Sequence, residues 1–146
     1  MPLINQYEHL IRKYRHRFLE KRLQPLGLGG PQTIYLTELY KMGGGKMIDM
    51  IEAMPFHKSH ATRVIADLQE RGLLEKWTDP LDARAVVLHL TEAGNVAAKQ
   101  VIAVLTEWDE LLFSCLTDAE KALMESIYRK MHDHVAAKFA EEESHA

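Results

Sequence analysis

The feature that most constrains this chain is a change of hydrophobic period at Gly72. Before it, apolar residues recur at helical spacing. After it come "LLEKW" and "AVVLHL", two short runs rich in apolar or β-branched residues, separated by "TDPLDAR" with its turn residues Asp79 and Pro80. Two such runs joined by such a loop predict a β-hairpin. The hairpin tip carries Asp82 and Arg84. Exposed charge pairs contribute only about 0–1 kcal/mol to stability, so holding the fold together is a poor reason for placing them there.

The rest of the chain reads as helix. Ile4, Tyr7, Ile11, Tyr14 and Phe18 alternate steps of three and four, which makes one apolar seam along a first helix. "LGLGG" breaks it, and Pro31 suits the first turn of a second helix because its missing N–H costs nothing there. That helix, "PQTIYLTELYKM", is expected to bury Ile34, Tyr35 and Leu39 before Gly43-Gly44-Gly45 stops it. A short segment, "KMIDMIEAM", follows, and "PFH" turns the chain into "KSHATRVIADLQERG". Beyond the hairpin, Thr91 caps a helix running through Val101, Val104, Leu105, Trp108, Leu111 and Leu112. Thr117 and Glu120 match a capping box, and Leu123, Ile127, Met131, Val135 and Phe139 form a stripe behind it. "AEEESHA" is expected to be a frayed acidic tail. The fold class is therefore mainly α with a small β-hairpin wing: a winged helix-turn-helix flanked by long N- and C-terminal helices.

At 146 residues and 47% hydrophobic the chain supports one domain. No apolar run approaches the ~18–20 residues that span a bilayer, and "MPLINQYEHLIRKYRHR" lacks a signal peptide's apolar core. The single cysteine, Cys115, rules out an internal disulfide and fits a reducing compartment, so a cytoplasmic location is expected. Its neighbours Leu112, Phe113 and Leu116 suggest a buried, inert thiol. A formal net charge of −3 looks wrong for a nucleic-acid binder, but the charge is segregated. Residues 1–24 carry six basic and two acidic groups, and residues 106–146 carry ten acidic and four basic. An acidic total leaves room for a local phosphate-binding surface.

On a wheel of about 100° per residue, Ala61, Val64, Ile65 and Leu68 of "KSHATRVIADLQERG" fall on one side, and Ser59, Arg63, Ala66 and Glu70 fall opposite. The outward face is split along its length. Ser59, His60, Thr62 and Arg63 offer donors at its N-terminal half, with Lys58 at the helix start. Asp67 and Glu70 would repel phosphate at the other half. A helix that enters a major groove by its N-terminal end has this character, with Arg63 able to offer guanine a two-pronged contact. An arginine on the adjoining hairpin can reach the neighbouring minor groove, most of all over A·T-rich sequence. Asp82 is then expected to pair with Arg84 or with a basic group on the helix.

Here the residues resemble a known family. "LQERGLLEKWTDPLDARAVVLHLTEAG" resembles the hallmark of the MarR family of bacterial regulators: a Leu, a few polar residues and Gly-Leu, a wing holding Asp-x-Arg, then Leu-Thr-x-x-Gly. "SHATRVIADL" is similar to that family's recognition helix, and "GLGGPQTIYLTEL", Gln32 included, to the segment opening its second helix. The likeness runs over almost the whole chain. It implies one domain over residues 1–146, with a DNA-binding winged helix-turn-helix at about 31–91. Residues 1–28 and 92–140 would form the dimerisation helices, and 141–146 the acidic tail. It implies a homodimer that places two recognition helices in successive major grooves of a pseudo-palindromic operator in double-stranded DNA, about 34–36 Å apart. Most relatives are repressors. By motif position, Ser59, His60, Thr62 and Arg63 belong to the recognition helix, Arg84 to the minor-groove contact and Asp82 to the pair orienting it. Two departures stand out. Ala83 replaces a second basic wing residue, which predicts a weaker wing. His57 takes the N-cap position, where it is a poor cap, so the helix start is expected to be less firmly fixed.

The resemblance also implies a small aromatic or other organic effector between the two parts of the molecule, for which Tyr7, His9, Tyr14, Met47, Met54 and Trp108 are candidate linings. No metal site is expected. His132 and His134 point to different helix faces, His57 and His60 could share a metal but His60 is already assigned to DNA, and His9 and His16 stand too far apart. No cofactor is called for. No GxSxG, P-loop or GxGxxG occurs, and Gly43-Gly44-Gly45 lacks the flanks for phosphate cradling, so catalysis is not expected. Two other classes remain open: a winged-helix module working by protein–protein contact, and a ligand-binding protein with no DNA role.

Overall fold

The computed structural model describes residues 2–54 and 57–146. Its elements are α1 (Pro2–Leu23), a 3-10 turn (Gln24–Leu26), α2 (Gly30–Met42), β1 (Gly45–Lys46), α3 (Met47–Ala53), α4 (Lys58–Glu70), β2 (Leu74–Asp79), β3 (Asp82–Leu90), α5 (Glu92–Phe113) and α6 (Asp118–His145). The turn expected at "PFH" lies, for Pro55 and Phe56, outside the described residues. Two compact units can be distinguished, Met1–Trp108 and Asp109–Ala146.

The core of the first unit gathers Tyr35, Leu36 and Leu39 from α2, Met50 from α3, and Ala61, Val64, Ile65 and Leu68 from α4. Leu74, Leu88, Ala98 and Val101 close it from the hairpin and α5, and Leu23 and Leu28 cover one end. The four α4 residues assigned to its inner face are all buried. On α2 the buried set is Tyr35, Leu36, Thr37 and Leu39, while Ile34 is exposed, contrary to expectation. The inner face of α2 is centred on Tyr35 and Leu36, which rotates Ile34 outward. Left-handed Gly43 ends this helix, where Gly43 and Gly44 N–H groups return to Tyr40 and Leu39 carbonyls.

The sheet has three antiparallel strands in the order β1-β3-β2. The third strand was missed in the sequence because Gly45, read as part of a helix stop, pairs instead with Leu88. Leu74 pairs with Leu90 and Trp77 with Val87, and the register shifts between Thr78 and Asp79. The turn itself is Pro80-Leu81, held by the Asp79 carboxylate accepting the Leu81 N–H at 2.9 Å. Arg84 thus lies on β3, in the stretch 83–85 that has no partner on β2, rather than on a free tip.

Two apolar stripes, one in each unit, are exposed. Ile4, Tyr7, Ile11 and Tyr14 of α1 are exposed, and only Phe18 of that seam packs inward, against Trp108 with ring centroids 5.5 Å apart. In the second unit no residue of α6 is buried, and Leu123, Ile127, Met131, Val135 and Phe139 are all exposed. The Thr117–Glu120 capping box is present in both directions. Two expectations here are corrected. The stretch 141–146 is helical through His145, supported by a Lys138–Glu141 pair and by the Ser144 hydroxyl on the Glu141 carbonyl. Cys115 is exposed, because its neighbours on the α5–α6 connection leave its thiol uncovered apart from a 3.5 Å contact with the Leu112 carbonyl.

Candidate nucleic-acid interface

Burial of Ala61, Val64, Ile65 and Leu68 against α2, α3 and β2 decides which residues of α4 face out. Lys58, Ser59, Thr62 and Arg63 are exposed, and His60 is half-buried at the edge. Ser59, Thr62 and Arg63 are engaged locally, Ser59 through its hydroxyl 2.8 Å from His57 Nδ1. The Thr62 hydroxyl donates to the Lys58 carbonyl at 2.9 Å, and Arg63 Nε reaches the Ser59 carbonyl at 3.4 Å. These are weak partners that a phosphate or a base edge can replace. The positive end of the helix dipole lies under the same residues and favours an anion.

His57 is the N-cap, as expected, but it does cap: its ring Nδ1 accepts the Ser59 N–H. The expectation of a loosely fixed start is therefore corrected. The ring supplies the acceptor that a serine or aspartate oxygen supplies elsewhere.

On the wing, Asp82 and Arg84 are both exposed. Asp82 pairs with Arg84 through the backbone: its carboxylate accepts the Arg84 N–H at 3.0 Å. Among the described residues no salt bridge joins Asp82 to the Arg84 guanidinium or to α4, so the arginine head group stays available. The carboxylate fixes the irregular stretch that presents it.

A cavity of about 600 Å³ lies in the first unit. Arg12, Arg15, His16 and Glu20 of α1 supply its polar wall, and Leu19, Leu23, Leu28, Ile34 and Leu105 its apolar one. Gly27–Gly30 and two threonines of α2, Thr33 and Thr37, complete it. None of the six residues proposed from sequence lines it. Tyr7, His9 and Tyr14 are exposed on α1, Met47 and Met54 are half-buried around the core, and Trp108 is buried against Phe18. The apolar seam read from periodicity lies on a different face of α1 from the one that borders this cavity. The available signal was the basic cluster of residues 12–17, two of whose members face the cavity beside His16. Among the described residues no cluster of three or more His, Cys, Asp or Glu could hold a metal ion, and no helix is long and apolar enough to cross a membrane.

Comparison with known proteins gives this geometry a context. The MarR family pattern matches residues 30–86, the segment from α2 into β3. The HTH-type transcriptional regulator YsmB of Bacillus subtilis is 30% identical over 108 residues, covering 74% of each chain. The HTH-type transcriptional repressor NicR of Pseudomonas putida is 27% identical over 132 residues, 88% of this chain and 83% of NicR. A MarR mutant from Escherichia coli, crystallised with operator DNA, superposes with a TM-score of 0.75 at 23% identity, over 90% of this chain and 94% of that one. The chain belongs to the MarR family of transcriptional regulators.

Proposed function

We propose that this protein is a repressor that binds a pseudo-palindromic operator in double-stranded DNA as a homodimer and is released by a small organic effector. The observation that carries the reading is the outward N-terminal half of α4, where Lys58, Ser59, Thr62 and Arg63 stand exposed over the positive end of the helix. Arg63 would read a base edge in the major groove, with Ser59, His60 and Thr62 on bases or phosphates and Lys58 on the backbone. Arg84, held by Asp82, would lie along the adjacent minor groove. The operator-bound MarR structure and the repressor NicR support the DNA role and its sign.

A second copy of the chain is the partner that the exposed stripes of α1 and α6 fit. Both are apolar, and the net charges of residues 1–24 and 106–146 are opposite in sign. On this reading residues 31–91 form the DNA-binding part, and 1–28 with 92–140 interlock between subunits. The cavity is the effector's place: its volume lies in the range of small-ligand sites, its leucines suit an aromatic ring, and Arg15 and His16 suit a carboxylate.

Fluorescence anisotropy with the DNA upstream of the protein's own gene tests this. Affinity should fall steeply and log-linearly with salt as phosphate counterions are released, and a footprint should show two half-sites one turn apart. Salt-insensitive or absent binding would favour the protein-interaction reading instead.

A further inference from the structure

The loop between the 3-10 turn and α2 has two sides. One side, Gly27–Gly30, walls the cavity. The other carries a polar tie to α4. The guanidinium of Arg71, at the C-terminal end of α4, donates to the Gly27 carbonyl, and its Nε lies 3.0 Å from the Asp67 carboxylate. The same carboxylate oxygen, Asp67 Oδ2, accepts Gln32 Nε2 at 3.2 Å, from the first turn of α2. Gln32 folds back over Gly29 so closely that a Cβ there would meet its amide oxygen at 2.8 Å. The same three-residue tie therefore contacts both ends of the cavity-wall loop and the back half of α4.

We infer that this tie carries the state of the cavity to the recognition helix, with Gln32, Asp67 and Arg71 acting as positioning residues. The inference rests on the DNA-binding reading above. Asp67 lies one turn beyond Arg63 on the same helix, so a change in how Asp67 and Arg71 are held alters the setting of the DNA-facing turn. All three side chains are partly exposed, and bonds of this kind contribute modestly. They can exchange partners when a cavity occupant displaces the loop, whereas the apolar contacts of α4 in the core stay made.

The test fills the cavity by substitution, so no effector need be known. Ile34→Trp adds bulk at the wall; Gly30→Leu is a second filler, at a glycine whose added Cβ meets nothing within 4 Å. Each is combined with Asp67→Ala in a double-mutant cycle, after melting curves confirm folding. Two quantities are read: affinity for the upstream DNA, and hydrogen exchange of the amides of residues 58–71. With the tie intact, filling should shift DNA affinity by about two- to thirty-fold, the usual span of couplings through such contacts, and change α4 exchange. With Asp67→Ala both responses should vanish. Equal responses in both backgrounds, or unchanged α4 exchange on filling, would overturn the inference. If no DNA is bound at all, the repressor reading fails, and the exchange arm still decides the tie.

Discussion

The ring of His57 holds the start of α4: its Nδ1 accepts the Ser59 amide at 3.3 Å and stands 2.8 Å from the Ser59 hydroxyl oxygen. Replacing an effective N-cap by Ala costs about 0.5–2 kcal/mol. His57→Ala should therefore lower the melting temperature by a few degrees and raise hydrogen exchange at Ser59 and Ala61, whereas His57→Ser should retain most of the stability. Calorimetry and amide exchange check both.

That cap shows where the sequence could be read and where it could not. The wheel of α4 was legible because burying four apolar residues at helical spacing leaves no choice about what faces out. The hairpin was legible because the period changes at Gly72. His57 was misjudged because ranking residues by capping preference ignores a ring nitrogen held at the right place. β1 was invisible because two residues, one a glycine, carry no periodicity. The cavity was missed because it is framed by backbone glycines and by the polar side of α1, and no local pattern marks a concavity assembled from distant segments. Cys115 looked buried because its sequence neighbours are apolar, yet adjacency in sequence does not supply cover.

Arg63 and Arg84 should fail in different ways. If Arg63 reads a base edge as proposed, Arg63→Ala should weaken operator binding by about 1–3 kcal/mol while relaxing preference at one base position. On the same proposal Arg84→Ala removes a contact that depends on groove width. It should cost most on operators with A·T-rich flanks and little where the flank is G·C-rich. Asp82→Ala, which frees the Arg84 amide, should resemble a mild Arg84 variant. Anisotropy on matched operator sets distinguishes the three. Identical losses on all sequences would remove the assigned base contact.

The open stripe of α6 predicts the effect of a charge placed on it. Val135→Asp puts a carboxylate amid Met131 and Phe139, all exposed in the single chain. A carboxylate without a partner is costly to bury, so a subunit interface there should dissociate. Sedimentation equilibrium should show a dimer for the native protein and a monomer for the variant. Loss of DNA affinity should accompany it, since each half-site is then bound alone. A variant that remains dimeric would move the interface elsewhere.

Tyr35 gives the fold an alkaline limit. Its phenol is fully buried, and burial pushes its pKa above the ordinary value of 10.0. Below pH ~10 the phenol is protonated in both folded and unfolded chains, and its contribution to stability is constant. Above that pH the unfolded chain ionises first, so stability falls as pH rises toward the folded-state value. Urea midpoints followed by circular dichroism should decline more steeply above pH 10 for the native protein than for Tyr35→Phe. Parallel curves would show that Tyr35 does not set this limb.

The sharpest structural prediction concerns Gly94, the glycine of the Leu90-Thr91-x-x-Gly94 stretch. Thr91 caps α5 by accepting the Gly94 N–H at 3.0 Å, while its own hydroxyl donates to the Gly72 carbonyl and its amide to the Leu73 carbonyl. These bonds draw the start of α5 against the chain entering β2. A Cβ on Gly94 would stand 1.8 Å from the Leu73 carbonyl oxygen. The obstacle is backbone, already bonded to Thr91, so no rotamer change relieves it. Gly94→Ala ordinarily favours a helix by about 1 kcal/mol; here the clash should outweigh that gain and destabilise by about 3 kcal/mol or more. Thr91→Ala, which removes the cap without a clash, should cost about 1 kcal/mol. Denaturant titration of the two variants orders them. A Gly94→Ala protein as stable as the native one would mean that α5 does not approach β2 as closely as these contacts require.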